Sequence, residues 1–170
     1  MKRIVFAAAA ALSLSACATV ARVDAGADIH AFLVSIRDGD QAAFEAHVDR
    51  EALKTQLRGR VTAEAAADPK AARGVQALDA LLGGSLVDAA VDVLLRPEVF
   101  RSVAQMHGYS ADRPIPGALA IAQFVRPLGD GAVCVVLKKG GDCVLDFNDE
   151  AGTWKLTGFV GPMSMLQGKR

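Results

Sequence analysis

Apolar positions recur about every third or fourth residue through the first two thirds of the chain and every second residue near its end, so the chain divides where the period changes. Ile29, Phe32, Leu33 and Ile36 fall on one helical face, with Asp28 placed to cap it. Asp38-Gly39-Asp40 breaks the pattern. Asp40 can cap a short second helix holding Ala43, Phe44 and His47; Asp49 can cap a third, where Leu53, Leu57 and Val61 stack while Lys54, Arg58 and Arg60 lie mostly on the solvated side. Asp68-Pro69 signals another start, for a helix using Val75, Leu78, Leu81 and Leu82 and stopping at Gly83-Gly84. Ser85 and Asp88 form a variant capping box for residues 86–95, which are apolar around most of the circumference and predict the most buried helix. Pro97 restarts the chain into Val99, Phe100, Val103 and Met106, and Gly108 closes that helix.

After a loop over residues 109–117, the period of two predicts four strands, at 119–127, 132–138, 142–148 and 154–160. Their separators are short, polar and glycine-bearing, as in an antiparallel meander. Ala132, Cys134 and Val136 share one face, as do Cys143, Leu145 and Phe147; Trp154, Leu156 and Val160 are placed on the same buried side. Helices first and sheet last predict an α+β fold, with N-terminal helices packed on a C-terminal antiparallel four-stranded meander. Residues 28–162 form one domain and 163–170 a solvated tail, although Met163 and Met165 could also offer an adaptable contact surface.

The N-terminus carries a different signal. Lys2 and Arg3 precede an apolar run over residues 4–14 that is too short to span a bilayer, and Ser15-Ala16 supply small residues before Cys17. Leu14-Ser15-Ala16-Cys17 resembles a bacterial lipoprotein processing box. The resemblance implies that residues 1–16 are a signal peptide, that a glyceride joins the Cys17 thiol, and that the chain is cut before Cys17. Each buried acyl methylene contributes about 0.8 kcal/mol, so two or more chains make a stable membrane anchor. An Asp after the cysteine favours inner-membrane retention in such proteins. Here that position is Ala18, so the resemblance implies the outer membrane, on its periplasmic face. Residues 18–27, small, polar and without periodicity, read as a tether.

With the leader set aside, composition changes little else. Basic and acidic residues number 19 each; without Lys2 and Arg3 the balance is 17 (19 minus 2) to 19. Such near neutrality, with no basic run interleaved with aromatics, argues against nucleic acid. No phosphate-binding loop or G-x-G-x-x-G supports a nucleotide.

The chemistry-bearing residues fall into small groups. Cys134 and Cys143 remain after lipidation, and an oxidising compartment favours pairing. Tight turns, however, set Cys134 opposite Leu145 or Phe147, and a disulfide needs alpha carbons within about 7 Å. A shifted or bulged register would join them; otherwise they are two small buried thiols or, although no C-x-x-C is present, a redox or metal site. His30, His47 and His107 lack any metal-ligand spacing, and His47 reads as a structural histidine beside Phe44. Asp38 and Asp40 read as a turn and a cap. Asp146, Asn148 and Glu150 alternate like the start of a calcium loop, but Ala151 stands where that loop needs glycine and Thr157 where it needs glutamate, so a hairpin turn fits better. No G-x-S-x-G occurs, and Ser85 reads as a cap. No catalytic, cofactor or metal residue is assigned.

Residues 32–57, FLVSIRDGDQAAFEAHVDREALKTQL, resemble the opening of the bacterial family DUF2939: a helix, an Asp-bearing turn, a Val-Asp pair, then Leu-x-x-x-Leu with basic residues. Arg96-Pro97-Glu98 and Trp154-Lys155-Leu156-Thr157 are similar to that family's middle helix start and last strand. The family has no assigned activity, so the resemblance implies a fold and no catalytic residue. A wider resemblance, to NTF2-like and SnoaL-like domains, implies a conical cavity that can hold an apolar ligand. Three roles are compatible with these features: an envelope lipoprotein that binds a protein partner without catalysis, a binding domain for a lipid or small apolar ligand, or an enzyme with a dispersed site.

Overall fold

The computed structural model describes residues 2–67, 73–74, 89, 92–106, 109–110 and 112–160. Its helices are α1 Lys2–Asp38, α2 Gln41–Ala46, α3 Arg50–Ala67, α4 Pro97–Met106 and α5 Ala118–Ala122; its strands are β1 Val125–Gly129, β2 Ala132–Val136, β3 Cys143–Glu150 and β4 Thr153–Phe159. The strands pair antiparallel in the order β1-β2-β3-β4, which makes the fold α+β with a C-terminal meander.

The predicted caps explain the short helices. Asp40 Oδ1 accepts from the Ala43 N–H at 3.0 Å and Asp49 Oδ1 from the Ala52 N–H at 3.0 Å, each satisfying an orphan donor at a helix start. Gly39 links α1 to α2 at φ 71°, in the left-handed region that glycine adopts without cost. The core is aromatic at its centre. Phe32 of α1 packs against Phe44, Phe100 and Phe147 with ring centroids 5.5, 6.0 and 5.9 Å apart. Around them lie Ile29, Ile36, Leu53, Leu95, Val133, Trp154 and Leu156, all buried.

Two expectations are corrected here. Residues 18–27 are helical, because α1 runs through them; Ala25 is fully buried and Ala21 packs against the core. Small residues bury little surface, so this contact face left no apolar period to read. The segment 119–127 is not one strand. Alanine-rich 118–122 forms α5, with the Ala120 and Ile121 N–H groups donating to Gly117 O, and β1 begins only at Val125. α5 lies against Gly26 of α1, where two small-residue faces meet.

The outer edge of β4 is closed group by group. Trp154 N–H donates to Asp28 Oδ2 at 2.7 Å. Leu156 N–H donates to His47 O, and Leu156 O accepts from Asp49 N–H. Phe159 N–H donates to Gln56 Oε1 at 2.9 Å, while its carbonyl accepts from Gln56 Nε2 at 3.1 Å and from Arg60. A strand edge exposed to solvent would invite pairing with another chain, and the N-terminal helices remove it here. Arg60 is therefore not simply solvated, and Lys54 is half-buried, with Asp92 at 3.5 Å. Val160 and Met106, expected on buried faces, are 37% and 56% exposed.

Of the helix expected over residues 68–82 only 73–74 are described, and they are helical; Ser85, Asp88, residues 86–88, 90 and 91, His107, Gly108, Met163, Met165 and the tail lie outside the described residues. Of the segment predicted to be most buried, Val93 and Leu94 are exposed and Leu95 is buried.

Candidate functional site

Every residue of β2 is apolar, so alternation alone cannot orient it. Val133 and Val135 pack into the core, while Cys134 and Val136 are buried outside that cluster, on the sheet's other face. This corrects the inward placement of Cys134. On β3, Leu145 and Phe147 face the core opposite Val135 and Val133, but the ladder skips Val144, and Cys143 pairs with Val136. One extra residue in a strand reverses the facing of its neighbours on the far side of the bulge. Cys143 therefore joins Cys134 on the outer face, with alpha carbons 5.6 Å apart, and the two form a disulfide.

Two further residues complete this cluster. Arg126, Cys134 and Asp146 stand in one row across β1, β2 and β3. The Arg126 Nη2 atom lies 2.7 Å from Cys143 Sγ, and Nη1 donates to Gly141 O at 3.4 Å. A carboxylate oxygen of Asp146 lies within 4.8 Å of both sulfurs. With both sulfurs bonded to each other, the trio has no thiolate to offer a cation. Desolvation pushes the Asp146 carboxyl above the ordinary carboxylate range. A raised acid is more protonated in the folded than in the unfolded chain. Its favourable contribution is thus complete below the ordinary carboxylate pKa and is lost as pH rises through the raised one. Asp146→Asn is accordingly expected to melt higher at pH 7 by roughly 1–3 °C, solvent access keeping the effect small, with the difference closing below about pH 4. Thermal melts of both proteins across pH test this.

The other predicted candidates are dispersed. His30 Nδ1 is 2.9 Å from Pro116 O, beside α5. His47 is half-buried, its Nδ1 2.9 Å from Ala43 O and its Nε2 3.8 Å from Asp28 Oδ1. Asp38 is paired with Arg37 at 2.7 and 3.0 Å, which holds its carboxyl below the usual range. Asp40 is a cap. Asp146, Asn148 and Glu150 lie along β3, which turns through Ala151 and Gly152 into β4. A depression between α2, α3 and the start of α4 is open and polar, lined by Gln41, Glu45, Arg50, Asp92, Arg96 and Glu98. Arg50 bridges Glu45 and Asp92 there, at 3.2 and 3.0 Å. Between sheet and helices, where an apolar ligand would sit in an NTF2-like cavity, the described interior holds Phe32, Phe44, Phe100 and Phe147. Cys17 lies on the backbone of α1.

A family model described as a protein of unknown function, DUF2939, matches residues 5–103. The chain belongs to the DUF2939 family. The DUF2939 match begins in α1, takes in the Asp38-Gly39-Asp40 turn, α2 and α3, and ends inside α4. The sheet, and with it the Trp154-to-Thr157 segment expected to match the family's last strand, lies beyond it. No curated protein and no solved structure matches the chain. Sequence reasoning missed Arg126. Its place in the row was readable only once the pairing of β1 with β2 was known.

Proposed function

We propose that this DUF2939 chain is a lipoprotein anchored through Cys17 to the periplasmic face of the outer membrane, where it acts as a non-enzymatic interaction module. The observation that carries the reading is Cys17 itself, at the end of a charged start, an apolar run and two small residues. A disulfide between Cys134 and Cys143 suits an oxidising compartment. No helix among the described residues is long and apolar enough to cross a membrane. Ala21, packed against the core, stands four residues after Cys17, a rise of about 6 Å along the helix. The domain then rests close to the bilayer with little freedom to swing.

Fractionation of cells making the wild type and Cys17→Ser tests the anchor. Wild type is expected in the outer-membrane fraction with an acylated N-terminal Cys17 peptide, and the variant is expected to lose both the acyl mass and the fraction. Identical fractionation and an unmodified wild-type peptide would sink the reading. In-cell crosslinking of the anchored protein should capture a discrete envelope partner; its absence alongside a small molecule that copurifies with the chain would favour ligand binding instead.

A further inference from the structure

The disulfide lies outside the hydrophobic core, on the sheet's outer face, and its two ends differ. Cys134 is fully buried, whereas Cys143 is half-exposed. A disulfide sulfur is a weak acceptor, yet the Arg126 guanidinium lies 2.7 Å from the Cys143 sulfur. The species that makes full use of such a donor is a thiolate, because a charged acceptor strengthens the hydrogen bond and the cation lowers the thiol pKa. Asp146, directly across the ladder from Cys134, offers a carboxyl at the buried end. Its β4 neighbour is Gly158, with Gln56 Nε2 approaching the same spot; the charged group in the same row is Arg126, on the far side of Cys134, and it is engaged at Cys143.

We propose that Cys134 and Cys143 form a thiol–disulfide exchange centre that reacts with a dithiol-bearing partner, Arg126 holding the Cys143 thiolate and Asp146 exchanging a proton with Cys134. An incoming partner thiolate attacks the accessible Cys143 sulfur. The bond to Cys134 breaks, Cys134 leaves with the electron pair, and it takes the Asp146 carboxyl proton, which solvent replaces. The partner's second thiol, deprotonated by solvent, then attacks the partner's own sulfur in the mixed disulfide. That bond breaks and leaves the Cys143 thiolate against Arg126. The cysteine pair gains two electrons and the dithiol becomes a disulfide. The reverse sequence oxidises a partner. Exchange rates depend on access to the attacked sulfur, which favours half-buried Cys143 over buried Cys134, and on the leaving thiol's pKa, which Arg126 lowers when Cys143 leaves in the second step. Desolvation raises the Asp146 carboxyl from its ordinary value, the direction that proton exchange with Cys134 needs. The exchange is stoichiometric with the partner, one disulfide for one dithiol, so it adds a chemistry to the interaction reading, and it stands whether or not the chain carries a lipid.

The test uses the full chain with dithiothreitol as the dithiol, reading each cysteine by the mass of its alkylated peptide so that Cys17 does not count. Reduction without denaturant is expected to leave the fold intact by circular dichroism. In the reduced protein, the pH dependence of iodoacetamide alkylation should put the Cys143 thiol about one pH unit or more below its position in Arg126→Gln. Arg126→Gln should slow reduction about threefold or more, with Arg126→Lys recovering part of the rate. Asp146→Asn should remove one ionisation from the pH profile of reduction. A Cys143 thiol that titrates alike with and without Arg126 would overturn the proposal. So would reduction only at the rate of global unfolding, or loss of the fold on reduction, since the bond would then be a structural staple.

Discussion

Phe32→Ala is expected to destabilise the domain by about 3–5 kcal/mol, a fall in melting temperature of roughly 6–20 °C for a domain of this size. Phe32 is 1% exposed and is the residue through which α1 reaches α2, α4 and the sheet at once, by its contacts with Phe44, Phe100 and Phe147. Removing the ring forfeits its transfer free energy and leaves a void. Three rigid neighbours on separate elements cannot all move into that void. Paired aromatic rings add about 0.5–1.5 kcal/mol beyond burial, which places the expected cost toward the upper end. Phe124→Ala supplies the contrast, because Phe124 is 38% exposed and should shift the melt little. Urea and thermal unfolding of both variants decide the matter. A Phe32→Ala loss below about 1 kcal/mol would mean that the aromatic cluster does not hold the elements together.

The helices with polar caps were the most legible elements. Asp40 and Asp49 each follow a break in the apolar pattern and precede its resumption, and each side chain bonds a helix-start N–H as expected. The strands from Ala132 onward were also legible, because glycine-bearing turns bound them closely. Three features escaped, each for a physical reason. Residues 18–27 and 118–122 contact one another through alanine and glycine, and such faces carry no strong apolar period. Ala132-Val133-Cys134-Val135-Val136 is apolar on both faces, so a period of two gives its conformation and not its orientation. The bulge at Val144 then reverses the facing of Cys143, which no turn residue announces. The cysteine pair was visible as a pair, while its setting beside Arg126 and Asp146 depends on the register of three strands. Gln56 and Arg60 also serve a purpose invisible in a helical wheel: both reach across to the β4 edge and satisfy Phe159.

Gly26→Val is expected to cost about 2–3 kcal/mol, against the usual gain from removing a glycine inside a helix. A Cβ at residue 26 would lie 2.6 Å from the Ala118 carbonyl oxygen and 3.1 Å from Ala122 Cβ. The first of these is backbone, so no rotamer change relieves it, and α5 must shift away from α1. The shift would not stay local. Ile121 and Ala122 are buried, and β1 begins at buried Val125 three residues later, so displacing α5 disturbs the start of the sheet. Replacing a glycine has the opposite sign elsewhere. At Gly59 in α3 an added Cβ meets nothing within 4 Å, and Gly59→Ala should stabilise the protein by about 0.5–1 kcal/mol through helix propensity and a less flexible unfolded chain. The two variants, melted side by side, separate steric packing from propensity. If Gly26→Val also stabilised the domain, α5 would not be seated on α1.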